Sequence, residues 1–117
     1  MKRFFFLVFA SLTMACSAQD CRQLPTTFTS YATAVKRIKS STFELQQRCN
    51  TSSSSWIIDA AYYSCDSKVG YLLISTSKTT YIHAKVPVEQ WNAFKNASSL
   101  GRFYSAYIKN NYPLRLR

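Results

Sequence analysis

The chain holds a single histidine, His83, and 5 acidic residues, so any catalytic constellation must be assembled from very few groups. A hydrolase of the Ser-His-Asp or Cys-His kind would have to pair His83 with one of the many serines, or with Cys49 or Cys65, and no nucleophile motif surrounds any of them. The carboxylates are dispersed. Asp20 falls in an N-terminal arm, Glu44, Asp59 and Asp66 in separate strands or turns, and Glu89 at a helix start, which leaves no pair for acid-base work. Asp59 lies inside a strand-like run, where a charge belongs on the solvent face. The reading is a protein with no catalytic site, and an enzyme built on His83 and Asp59 ranks last among the alternatives.

A different chemistry fits the composition better. Aromatic side chains interleaved with basic ones are what a protein uses to stack planar groups while gripping phosphates. Tyr81 and His83 point the same way on one strand. Arg102 and Lys109 are seven residues apart on a helix and nearly aligned, and Arg115 with Arg117 form a basic tail. These six residues are the candidate surface for a polyanion such as nucleic acid. The competing expectation for Tyr81 and for Phe103, Tyr104 and Tyr107 is ordinary core packing. A second functional reading is an envelope module that binds or inhibits another protein through a loop or sheet edge, with binding that resists moderate salt.

Net charge agrees with an anionic partner and equally with simple solubility. The full chain carries 15 Lys and Arg against 5 Asp and Glu, a formal +10. Lys2 and Arg3 belong to a leader: they precede an apolar run from Phe4 to Ala15, too short for an ordinary transmembrane helix, and Cys16 and Ala18 supply the small residues before a cut at Gln19. Residues 1–18 are therefore read as a signal peptide, and losing those two cations leaves 13 basic and 5 acidic residues, +8. The rival is a cut after Ala15 with lipid on Cys16, against which Thr13 stands where such signals usually carry Leu. The protein is expected to be exported, periplasmic or secreted, or else anchored through Cys16.

Export places the remaining thiols, Cys21, Cys49 and Cys65, where disulfides persist. Alternation over Phe43 to Cys49 puts Phe43, Leu45 and Cys49 on one face, so Cys49 reads as a buried apolar residue. Cys21 sits in an arm that needs a tether, and the expected bridge is Cys21 to Cys65. The long thiol spacings and the lone histidine argue against a metal site. No cofactor is implied.

The elements that would position these groups follow from periodicity. Phe28, Tyr31, Ala32 and Val35, with Ile38 nearby, form the stripe of a first helix, and Phe43 to Cys49 a strand. Runs Trp56 to Ser64, Val69 to Thr76 and Thr79 to Val86 are rich in β-branched and aromatic residues and are joined by short turns, which makes an antiparallel meander. Tyr81 falls opposite Ile74 or Leu73 according to whether the second turn has two residues or three. Pro87 and Glu89 start a helix carrying Val88, Trp91 and Phe94. Ser98 or Ser99 caps another with Leu100, Phe103, Tyr104, Tyr107 and Ile108. The expected architecture is α+β: an antiparallel meander of three or four strands with an N-terminal helix and two C-terminal helices packed on it.

The order of residues from Ser54 to the C-terminus resembles the KTSC domain, a module found at the C-terminus of some lysyl-tRNA synthetases and as small stand-alone proteins. The likeness rests on Ser54 and Ser55, Ile58, Tyr62 or Tyr63, Tyr81-Ile82-His83, Val86-Pro87, the run Ala97 to Tyr104, Ile108 and Tyr112. The resemblance implies the same meander followed by helices, and it implies a fold more than an activity. The family's central pattern is Tyr-x-Tyr, from which this chain departs at His83. Residues 19–53, the arm, first helix and first strand, lie outside the likeness and are expected to form one compact unit with 54–117.

Overall fold

A computed structural model describes residues 19–117. Residues 1–18, read above as a leader with an alternative lipid site at Cys16, lie outside the described residues. After a two-residue strand β1 (Gln19–Asp20) and a tight turn at Cys21–Gln23, the chain forms helix α1 (Tyr31–Ser40). Strands β2 (Ser41–Thr42), β3 (Leu45–Arg48), β4 (Asp59–Ser64), β5 (Val69–Ser75) and β6 (Thr80–Pro87) follow. Helices α2 (Val88–Lys95) and α3 (Leu100–Phe103) complete it, with α3 running on into a wider turn over Tyr104–Ile108.

Strands β3 to β6 form a four-stranded antiparallel meander in chain order, while β1 pairs with β2 in a small parallel ladder. The α+β class and the meander agree with the pattern of the sequence. The register question also closes: Tyr81 lies opposite Ile74, as a two-residue turn at Ser77 and Lys78 requires.

Helices cover both faces of the sheet, and this explains why β4 shows no polar alternation. Ala60 and Tyr62 face α2 and α3 in a cluster with Leu72, Ile74, Val86, Trp91, Phe94 and Ile108. Ala61 and Tyr63 face the other way, into a cluster with Phe28, Ala34, Ile38, Leu73, Ile82 and Leu114. The second cluster joins residues from 19–53 to the later sheet in one core. Tyr62 stacks on Trp91 at 5.3 Å between centroids, and its hydroxyl donates to the Val86 carbonyl at 2.6 Å, so this buried phenol is satisfied.

Three local readings are corrected. The buried face of α1 is Ala34 and Ile38, with Val35 partly covered, whereas Tyr31 and Ala32 are exposed and Phe28 precedes the helix. Phe28 is instead held by backbone bonds to the terminal segment, its N–H to the Arg115 carbonyl and its carbonyl from the Arg117 N–H. Phe43 does not share a face with Leu45 and Cys49: it packs on Tyr63 and Tyr71 on one side of the sheet, while Leu45 and Cys49 serve the other. A non-strand residue between Phe43 and β3 breaks the alternation. In the last helical stretch Tyr107 is exposed, because the Lys109 N–H bonds the Tyr104 carbonyl five residues back, and the extra residue in that turn rotates the aromatic stripe.

Cys21 and Cys65 are joined by a disulfide, with their Cα atoms 5.9 Å apart, and the bond pins the N-terminal arm to the end of β4. Cys49 is the free cysteine among the described residues. Burial first, then Asp59, pushes its thiol pKa up, as suits a packing residue rather than a nucleophile.

Strand β6 carries a bulge. Leu72 pairs with His83 and Gly70 with Val86, so Ala84 and Lys85 together stand opposite Tyr71. Lys85 takes up the extra residue at φ 58°. The consequence is a change of phase: His83 and Val86, three residues apart, both face the C-terminal helices.

Candidate functional site

A cleft of about 610 Å³ runs along the outer edge of β6. Tyr81 on β6 forms one wall, the wide turn after α3 with Ser105, Lys109 and Asn110 the other, and Trp56 and Tyr31 also line it. Tyr81, Trp56 and Tyr31 are 47%, 38% and 51% exposed, so three rings present free faces or edges to solvent. Lys109 is the charged side chain of the lining, which contains no Asp or Glu.

The floor is polar and closed. His83 and Tyr104 are 6% and 4% exposed, and His83 Nε2 lies 2.8 Å from the Tyr104 hydroxyl. Burial lowers the His83 pKa, and a hydrogen bond to the Tyr112 backbone works in the opposite direction. A carbonyl only accepts, so the ring N–H belongs on the Tyr112 side and Nε2 accepts the Tyr104 proton. Burial, followed by the proximity of Tyr81, pushes Tyr104 up to about 12. Both groups are neutral at pH 7 and satisfied by each other, which makes a rigid base for the cleft rather than a proton-transfer pair.

The C-terminal segment supports this floor from outside. Pro113 forms a bridge to His83, and the Ala84 N–H donates to the Tyr112 carbonyl, so half of the β6 edge is covered while Thr80 to Ile82 stay open to the cleft. Trp56 is positioned locally: Ser54 Oγ accepts the N–H groups of Trp56 and Ile57 at 3.3 and 3.0 Å. Its indole then packs edge-on against Tyr104 at 5.7 Å. Gly101 allows it to lie there, since a Cβ at that residue would come 2.6 Å from Trp56 Nε1. The close approach at Gly101 is thus to a side chain.

Of the six residues singled out in the sequence, the structure brings Tyr81, His83 and Lys109 into one cleft. His83 is its buried floor and offers no free face. Arg102 lies in an adjoining groove with Trp56, Ser99 and Ala106. Arg115 and Arg117 are exposed beyond Leu114 and do not line the cleft, and Arg117 Nη1 donates to the Thr27 carbonyl at 3.2 Å. Trp56, Tyr31 and Asn110 escaped the sequence reading. Trp56 is read from sequence as the start of the strand Trp56 to Ser64, but β4 begins only at Asp59, and the fold carries Trp56 next to Gly101.

Asp59 is half-buried and 3.5 Å from Arg48, an ion pair across neighbouring strands and remote from the cleft lining. Among the described residues no helix is long and apolar enough to cross a membrane.

The molecule is thus a disulfide-pinned α+β meander with an aromatic cleft, free of Asp and Glu, along its edge strand. The chain belongs to the KTSC domain family, whose model matches residues 54–112. The match covers β4 to the end of the wide turn and on to Tyr112, so both long walls of the cleft fall inside it. No curated protein and no solved structure matches the chain.

Proposed function

We propose that this protein is an exported, noncatalytic binding module for a polyanion, nucleic acid being the class its cleft suits best. The observation that carries the reading is the cleft lining: three solvent-facing rings and the Lys109 ammonium, with no carboxylate to repel an anion. Aromatic faces take up planar groups and the cation takes the phosphate between them, a pairing that ordinary core packing does not explain for exposed rings. The neutral His83–Tyr104 floor adds shape and no nucleophile. The Cys21–Cys65 bond suits an oxidising compartment, in keeping with the leader read at 1–18.

The test is a titration of the purified protein with a fluorescein-labelled single-stranded oligonucleotide at 50 and 200 mM salt. Binding is expected, and the phosphate contact at Lys109 would weaken it about 2.6-fold between those salt concentrations. Tyr81→Ala should weaken it at least about fivefold, the lower end for losing one stacked base. Absence of binding in dilute buffer, or binding indifferent to both salt and Tyr81, removes this function and favours the protein-binding alternative.

A further inference from the structure

The cleft does not end at Trp56. The indole lines it on one side and lines the adjoining groove on the other, and Ser105 is likewise common to both. Beyond Arg102 the surface continues into a third groove, which Tyr107, 54% exposed, helps to line. Two rings and a cation, Tyr81, Trp56 and Lys109, line the first depression, Trp56 and Arg102 the second, and Arg102 and Tyr107 the third. No Asp or Glu lines any of the three depressions.

Resting on the cleft's proposed role, we propose that these depressions form one track for a single-stranded nucleic acid several nucleotides long, with Trp56 as a stacking partition between two phosphate-binding stations. Seven residues of helix separate Arg102 from Lys109, roughly 10 Å along its axis, and the two line different depressions, so each can hold a phosphate of its own. A ligand that fills both stations presents at least two phosphates. Base pairs inside a duplex keep their faces stacked on one another and cannot stack on Trp56 and Tyr81, so the track selects unpaired strands.

The experiment measures displacement of fluorescein-labelled (dT)12 by unlabelled (dT)3 and (dT)12, and by a blunt 12-base-pair duplex, for the wild type, Arg102→Ala, Tyr107→Ala and Lys109→Ala. Arg102 and Tyr107 are exposed, and a thermal melt of each variant is the check that it stays folded. Lys109→Ala is expected to weaken both strand lengths. Arg102→Ala and Tyr107→Ala should each weaken (dT)12 at least about fivefold and leave (dT)3 within about twofold. That contrast is immune to the larger number of registers a longer strand offers. Wild-type-like (dT)12 binding by both Arg102→Ala and Tyr107→Ala overturns the track while leaving the cleft's function standing. Equal affinity for the duplex overturns its selection of single strands. Failure of every oligonucleotide to bind removes the cleft's proposed function and the track with it.

Discussion

The Tyr104 hydroxyl meets His83 Nε2 at 2.8 Å beneath the cleft, joining the wide turn after α3 to the middle of the edge strand β6. Truncating the phenol leaves a buried ring nitrogen without a partner. Tyr104→Phe should therefore lower stability by about 1–3 kcal/mol while removing a single atom. Urea unfolding of the two proteins at neutral pH measures it, and an unchanged midpoint would show that water already satisfies the imidazole.

The same burial makes stability depend on pH. Burial holds the folded His83 pKa below its ordinary 6.5, so between that lowered value and 6.5 the unfolded chain binds more protons than the fold. Its contribution is complete above 6.5, is lost as pH falls from there toward the folded value, and levels off beneath it. Urea midpoints at about pH 7.5 and about pH 5.5 should differ in favour of the higher pH, and His83→Phe should reduce that difference. A larger midpoint at the lower pH would mean that the imidazole is held charged.

Removing the Cys21–Cys65 bond frees a loop with a sequence separation of 44 residues. Loop-closure entropy puts the cost of the Cys21→Ser, Cys65→Ser double variant at about 4 kcal/mol, and relief elsewhere brings measured losses of this kind nearer 2–4 kcal/mol. Denaturant unfolding with and without a reductant checks the magnitude in the wild type. Limited proteolysis should then cut first in the arm around Leu24 and Pro25, which loses its anchor to the sheet.

Much of this fold is legible in residue pattern because local and global preferences agree. Short turns between β-rich runs dictate the meander, Pro87 opens α2, and Ser99 Oγ caps α3 by accepting the Arg102 N–H at 3.3 Å. The failures fall where tertiary contacts overrule period. A strict helical stripe cannot anticipate that Phe28 leaves α1 to pair with the C-terminal segment, nor that one extra residue turns Tyr107 outward. The same holds for the site. Tyr81 and Lys109 carry recognisable chemistry in sequence, whereas Trp56 becomes part of the cleft only through its contact with Gly101, 45 positions away in the chain.

Lys85 is a place where local preference loses. It stands at φ 58°, a conformation that costs a residue with a Cβ about 1–2 kcal/mol and glycine almost nothing. The bulge it supplies is what turns Val86 back toward the C-terminal helices, so the strain is retained for geometry. Lys85→Gly should keep the bulge and raise stability by about 1 kcal/mol, after the extra freedom of the unfolded glycine is set against the relieved strain. Lys85→Val, with a branched side chain at positive φ, should do the opposite. A thermal melt of both variants tests the pair, and equal melting temperatures would mean that the bulge relocates to Ala84.

Gly101 offers the cleanest separation of binding from folding. An alanine there places its methyl 2.6 Å from Trp56 Nε1, and this indole, 38% exposed, can swing outward into water. The backbone need not move, so Gly101→Ala should change stability by less than about 1 kcal/mol, with the helical preference of alanine over glycine offsetting part of the displaced packing. The indole, however, leaves the partition between the two grooves. Trp91 is fully buried and serves as an unchanged background, so tryptophan emission should shift to the red through Trp56 alone. Oligonucleotide affinity should fall to the level of Trp56→Ala, a loss of about 1–3 kcal/mol if the ring stacks a base. Retained affinity alongside a red-shifted emission would mean that the ligand never touches the indole, and the cleft would then have to hold it through Tyr81 and Lys109 alone.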